Sequence, residues 1–264
     1  MRKTVAIARK ELSVFLTTAT GYAGFGAYAF LMGLVFASSI NQYQALTVSY
    51  LNQQQPLLLE RLNFNDAIIA PMFSAGAWMY LFFVPFLTMR SFAEEKAQHT
   101  FELLLTTPIS STEIVLGKFG GAAAMVLIMT GIPLIFPAIL HAYGTTGGGE
   151  SSVEWLPVFS AVGFIGLMGM SFVAIGLLAS SMCQSQVTAA LATFGVLLLG
   201  YLLPYFSNRL DGNWQAVVAY LSPVAHLSRG LQGRVLLQDI VFFMSIVVGG
   251  LILTQRSVES HRWR

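Results

Sequence analysis

Five apolar stretches of this chain, residues 21–39, 67–89, 119–140, 156–180 and 187–203, each run for at least 17 residues without one Asp, Glu, Lys or Arg. A helix that crosses a bilayer needs roughly 20 mostly apolar residues, because the hydrocarbon offers no water to an unpaired backbone group. A sixth stretch, 240–253, reaches that length only if its helix begins near Val235, which leaves Asp239 one turn inside, at headgroup depth. Charged residues make up 10% of the chain, against about 25% in soluble domains. The mean hydropathy of +0.68 agrees. The predicted fold class is therefore all-α: a polytopic membrane protein with six transmembrane helices.

The N-terminus does not read as a cleaved signal, since charges continue to Glu11 and no small-residue cleavage site is clear. Residues 3–16 instead alternate faces at helical spacing. Val5, Ala8, Leu12 and Phe15 form one stripe, with Arg2, Arg9, Lys10 and Ser13 opposite. That pattern predicts a helix lying flat among the headgroups; an ordinary basic flank before the first span is the other reading. With both termini inside, ten basic residues fall on the cytoplasmic side and four outside, the bias that favours this orientation.

Several chemistries lack their residues. A single cysteine, Cys183, allows no intrachain disulfide and no cysteine zinc cluster, and His99, His141, His226 and His261 have no metal-ligand spacing. GxxxxGK[ST], HExxH and GxSxG do not occur, so neither a P-loop nor these hydrolase sites are present. No proposed span carries an ionisable residue near its middle, which argues against, without excluding, an ion-driven carrier. Net charge is +2 with no basic run, so nucleic acid is not an expected partner. The chain is expected to bind no catalytic group, cofactor or metal of its own.

The connections differ in character. Residues 41–66 are polar and glutamine-rich, with "LLLERL" suggesting a short amphipathic helix. "YGTTGGGESS" reads as a flexible connector and "MCQSQ" as a tight turn. In 205–239, "WQAVVAYLSPVAHL" is too short to cross and is interrupted by Pro223. It predicts a pair of outer-face helices dipping into the leaflet; a loosely ordered loop with an apolar patch is the alternative. Pro71, Pro85, Pro133 and Pro137 are expected to kink their spans. Gly163, Gly166, Gly169 and Gly176 are expected to let neighbouring helices approach.

One loop stands apart. "RSFAEEKAQHTFELLLTTPISSTEIVLGKF", residues 90–119, holds 4 of the 12 acidic and 3 of the 14 basic residues of the chain. Arg90 and Glu94 stand at helical ion-pair spacing. His99 to Leu105 form a short run in which Phe101, Leu104 and Leu105 share an apolar side, and Pro108 ends it. Ser110 to Glu113 then offer a capping box for the next helix. A short apolar-faced helix between two long ones suits a groove in a soluble partner. Lying on the membrane surface is the other reading.

The stretch "MRSFAEEKAQHTFELLLTTPISSTEIVLGKF" resembles the segment between the second and third spans of ABC transporter type-2 permeases. "YLSPVAHLSRGLQGRVLLQDIVFF", the "ARKEL" opening and the tail "TQRSVESHRWR" are similar to the gliding-motility-associated, GldF-type subgroup. His99 departs from the pattern, which usually has glycine there.

The resemblance implies a single permease domain over 1–264, with an elbow helix (1–18), a cytoplasmic coupling loop (90–118) and an outer loop (205–239). It implies dimeric assembly with a second permease chain, homodimeric or heterodimeric, within membrane lipid. It also implies a separate ABC ATPase subunit in two copies, which would hold the ATP and Mg. Thr100, Phe101, Glu102, Leu103, Leu104, Leu105 and Pro108 would seat in that ATPase. Arg90, Glu94, Glu95 and Lys96 would relay its movement into span two. Trp214, Pro223, His226 and Arg229 would belong to an outer gate. The implied function is the non-enzymatic permease subunit of an exporter in the bacterial inner membrane. A gradient-driven carrier or channel, and a non-transporting anchor of a motility or assembly complex, stand as alternatives.

Overall fold

The computed structural model describes residues 2–54, 58, 62–98, 100–101, 109–144, 153–207, 209 and 212–262. Among these residues the only regular secondary structure is helix, with no strand. Six segments are long and apolar enough to cross a membrane: Gly21–Asn52, Asn65–Ala97, Ser111–Tyr143, Trp155–Met182, Gln186–Ser207 and Leu237–Ser260. The polytopic all-α class expected from the sequence is the one observed.

Helix α1 (Arg2–Thr17) precedes the spans and lies along α5 (Ser111–Gly131). Its inward face carries Ile7, Ala8, Leu12 and Phe15, while Val5, expected on that stripe, is 65% exposed. Ile7 takes its place because α5 presents glycines there. A Cβ on Gly117 would stand 2.7 Å from the Ile7 Cβ, and one on Gly121 2.6 Å from the Glu11 Cβ. The two backbones are therefore closer than any larger residue allows.

Helix α2 (Ala19–Asn52) is longer than its apolar stretch predicts. The polar residues after Ser39, expected in a loop, continue the helix because nothing there breaks it. Thr47 donates back to Tyr43 O at 2.9 Å, and the Gln53 amide reaches Ser49 Oγ at 3.1 Å. Its 34 residues span about 51 Å at 1.5 Å each, well beyond a hydrocarbon core of about 30 Å. "LLLERL" falls mostly outside the described residues, as does nearly all of "YGTTGGGESS".

A π-helical turn (Asn65–Ile69) leads into α3 (Ala70–Thr88), with Pro71 in its first turn. Asn65 ties this start to that of α7 (Trp155–Met182): its amide donates to Glu154 O at 2.8 Å and its carbonyl accepts from Glu154 N at 3.2 Å. Pro85 lies within α3, and a 3-10 turn at Ile132–Leu134, containing Pro133, separates α5 from α6 (Ile135–Tyr143), which carries Pro137.

The centre of the bundle is α7, against which α3, α5, α8 (Gln186–Ser207), α10 (Pro223–Leu231) and α11 (Leu237–Arg262) all pack. Two thirds of its most apolar window, 67%, is buried, against 17% for α2 and 22% for α8. A helix apolar all round belongs in that position. Gly169 and Gly176 make it possible: a Cβ there would stand 2.3 Å from Val126 Cγ1 and 2.2 Å from Thr88 Oγ1. Gly163, expected to do the same, faces open space. Ser185 accepts from Thr188 N at 3.2 Å and starts α8 after the tight turn at Cys183. The outer helix pair is present as α9 (Asn213–Tyr220) and α10.

Candidate functional site

At the end of the bundle where α1 begins and α11 finishes, α3 turns at Arg90 and Ser91 into the five-residue helix α4 (Ala93–Ala97). Ser180 of α7 makes this turn. Its hydroxyl accepts from the backbone N–H of Phe92 and of Ala93, both at 3.1 Å, and donates to Met89 O at 3.3 Å. Two amides that the chain reversal leaves without helical partners are thereby satisfied.

Within this corner the Arg90–Glu94 pair expected from spacing forms as a two-pronged contact, 2.8 and 3.1 Å. Lys96 donates to Ser181 O and holds α4 to the end of α7. The capping box is present: Ser110 Oγ accepts from Glu113 N at 3.2 Å, and Glu113 accepts from Ser110 N at 3.2 Å.

Glu95 points to a residue the sequence did not single out. Lys118 of α5 is 3% exposed, and its ammonium donates to Glu95 Oε1 at 2.7 Å, to Glu11 Oε1 at 3.1 Å and to Ser91 O at 2.6 Å. It also lies 5.1 Å from the Phe92 ring centroid. A charge this deep is costly unless paired and hydrogen-bonded, and here it has three acceptors from three elements. The signal was present in "VLGKF", a lone cation beside an uncharged span, and in Glu11, the one acid of a basic helix. A cavity of about 530 Å³ opens above, lined on one side by Lys10, Glu11 and Phe15 and on the other by Arg90, Glu94 and Glu95.

Of the expected partner-facing run, only Thr100 and Phe101 are described. Thr100 is exposed and donates from its N–H to Glu95 O at 2.9 Å. Phe101 does not face outward: it is 5% exposed, set edge-on to Phe92 at 6.3 Å, with the Lys96 ammonium 5.5 Å from its centroid. Burying a phenyl ring beside two fixed neighbours outweighs presenting it to water. Glu102, Leu103, Leu104, Leu105 and Pro108 lie outside the described residues, as does His99.

The opposite end gathers a second charged cluster. His226 and Asp239 are both fully buried, and Asp239 sits in the first turn of α11. The His226 Nε2–H donates to Tyr220 O at 2.7 Å, and Nδ1 stands 2.6 Å from Asp239 Oδ1. Arg229 donates through Nε to Asp239 Oδ2 at 3.1 Å and reaches Oδ1 with its second nitrogen. Phe242 stacks on the imidazole at 4.0 Å and 15°. Pro223 packs toward Gly200 of α8, and Trp214 stands apart on α9, 71% exposed. Three of the four expected outer residues thus lie on one short helix, with Asp239 as the member the sequence missed. The described residues contain no cluster of His, Cys, Asp and Glu fit to hold a metal.

The model of the ABC-2 family transporter proteins matches residues 5–249, nearly the whole bundle. The chain belongs to the ABC-2 transporter family. A 150-residue stretch is 26% identical to the "Probable multidrug ABC transporter permease YbhR" of Escherichia coli K12, and equally to its counterpart in the O157:H7 strain. That stretch covers 55% of this ABC-2 chain but only 38% of each relative, so the chain matches well under half the length of these curated proteins.

Proposed function

We propose that this ABC-2 chain is the permease subunit of an ATP-driven exporter in a bacterial inner membrane, with both termini cytoplasmic. In this reading it pairs with a second permease chain, and two copies of a separate ABC ATPase subunit dock on the end that carries α4. ATP and Mg stay in that ATPase. The observation that carries the reading is the α3–α4 corner. It is the continuation of a membrane-crossing helix, pinned to α7 by Ser180 and Lys96, and it leads directly into the apolar run ending at Pro108. A push on that run has a stiff path into span two.

With Phe101 itself buried, we assign contact with the ATPase to the other apolar residues of the run, Leu104 and Leu105 foremost. Arg90, Glu94, Glu95 and Lys96 form the relay, and the α10–α11 corner with His226 and Arg229 closes the far side. Trp78, Phe82 and Phe86 of α3 are exposed and uncharged, a surface suited to an amphipathic cargo such as the drugs named for the E. coli relative. We assign the chain to the gliding-motility-associated subgroup on its outer-loop and tail sequences.

The test is co-purification from detergent with the cognate ABC ATPase. Leu104→Asp with Leu105→Asp is expected to lower ATPase recovery by about tenfold or more, as loss of a central apolar anchor does. Full recovery with undiminished stimulation of ATP hydrolysis removes the docking assignment.

A further inference from the structure

Helix α1 and the α3–α4 corner line opposite sides of a cavity of about 530 Å³. The contact that crosses its floor is the Lys118 ammonium, which reaches Glu11 on α1 and Glu95 on α4. We propose that Lys118 is an ionic pivot, the positioning residue that carries displacement of the α4 relay to the elbow helix and the third span. This rests on the reading of α4 as the element that receives force from an ATPase.

The physical case has three parts. First, the elbow cannot slide freely on α5, because Gly117 and Gly121 let it sit directly on the α5 backbone. Whatever moves Lys118 relative to α4 therefore acts on α1 and α5 as one body. Second, the cavity would absorb much of a small shift of α4 if apolar contact were the only link, since a gap of about 0.5–1 Å already forfeits a quarter to a half of the dispersion attraction. Coulomb attraction falls only as the inverse of distance, so the ion pair still pulls after such a shift. Third, Glu95 is only half used. Its Oε1 holds the ammonium at 2.7 Å, while Oε2 is buried without a hydrogen-bond partner. A turn of the carboxylate lets Oε2 take the ammonium as α4 tilts, so the pair survives movement.

A pivot and a merely structural charge make different predictions for the intact complex in lipid nanodiscs. Lys118→Met keeps the aliphatic stem and removes the charge. It is expected to leave ATPase binding and the KM for ATP unchanged while permease-stimulated kcat falls about fivefold or more, the lower end of ordinary coupling energies. Lys118→Arg, which restores a cation, is expected to recover at least half of the stimulation. Unchanged stimulation in Lys118→Met, or equal loss in Lys118→Arg, overturns the pivot. If Lys118→Met does not fold, Glu11→Gln opens only the elbow link and carries the same expectation, and full stimulation there also overturns it. A wild-type complex that neither binds an ATPase nor stimulates it instead removes the proposed function. A readout free of the partner is the spin-label distance between Ser13 and Gln98 in the full chain with Cys183→Ser: the distribution should broaden in Lys118→Met, and an unchanged one counts against the pivot.

Discussion

The two charged clusters bury the same kind of group in opposite ways. At the α4 end, Lys118 draws partners from residues 11, 91 and 95, and its two carboxylates keep 15% and 20% of their side chains exposed. At the other end, Asp239 takes both partners from a segment 10 to 13 residues away, and Tyr220, Phe242 and Phe243 surround the imidazole. One cluster borders a cavity and joins separate elements. The other keeps His226 and Asp239 fully buried among rings, with Arg229 reaching them from a partly exposed position, and closes the chain between α10 and α11. The lesson is that a buried ion pair can be a joint or a rivet, and adjacent free volume decides which.

The largest expected effect breaks the rivet. Asp239→Asn leaves the buried His226 and the partly exposed Arg229 facing a neutral group, and loss of one partner from a buried pair costs roughly 3–5 kcal/mol. Unfolding in detergent should show it as a sharply lower midpoint. A loss no larger than that of Lys118→Met would erase the contrast.

Lys118→Met comes next, at about 1.5–3 kcal/mol, the range for hydrogen bonds to a charged group. Glu11 and Glu95 already touch water and can rehydrate through the cavity, which keeps the cost below that of removing the fully buried Asp239 charge. The same unfolding measurement ranks the two.

Gly176→Val tests whether α7 fixes the corner from below. The added Cβ meets Thr88 Oγ1 at 2.2 Å, and overpacking of this kind costs about 1–3 kcal/mol. Ser180 sits one turn further along α7, so the substitution should also raise hydrogen exchange at the Phe92 and Ala93 amides. Unchanged protection there would show that α4 holds its place without α7.

The smallest effect should come from Arg90→Gln. The Arg90–Glu94 pair is two-pronged but partly exposed, with side chains 33% and 24% accessible, and such helical pairs contribute about 0.3–0.5 kcal/mol. A shift above about 1 kcal/mol would mark the pair as part of the joint rather than of the surface.

Much of this was legible beforehand where the signal was local. Uncharged length gave six spans, Ser110 and Glu113 formed their capping box, Arg90 met Glu94, and Pro223 opened α10 of the outer pair. The misses are all cases in which a distant partner decided. Phe101 turned inward because Phe92 and Lys96 stood ready to cover it. Val5 lost its place to Ile7 because the glycines of α5 set the angle of the elbow. Lys118 and Asp239 looked like flanking charges until Glu11, Glu95, His226 and Arg229 were brought beside them.

By itself the sequence determined how many times the chain can cross a bilayer, where its charges cannot go, and which short runs begin and end helices. Those properties depend on neighbours a few residues apart, through backbone hydrogen bonding and the cost of charge in hydrocarbon. Only the tertiary structure decided which buried charges face one another and whether empty space lies beside them. Pair energies depend on distances between residues remote in the chain, and helix packing sets those distances.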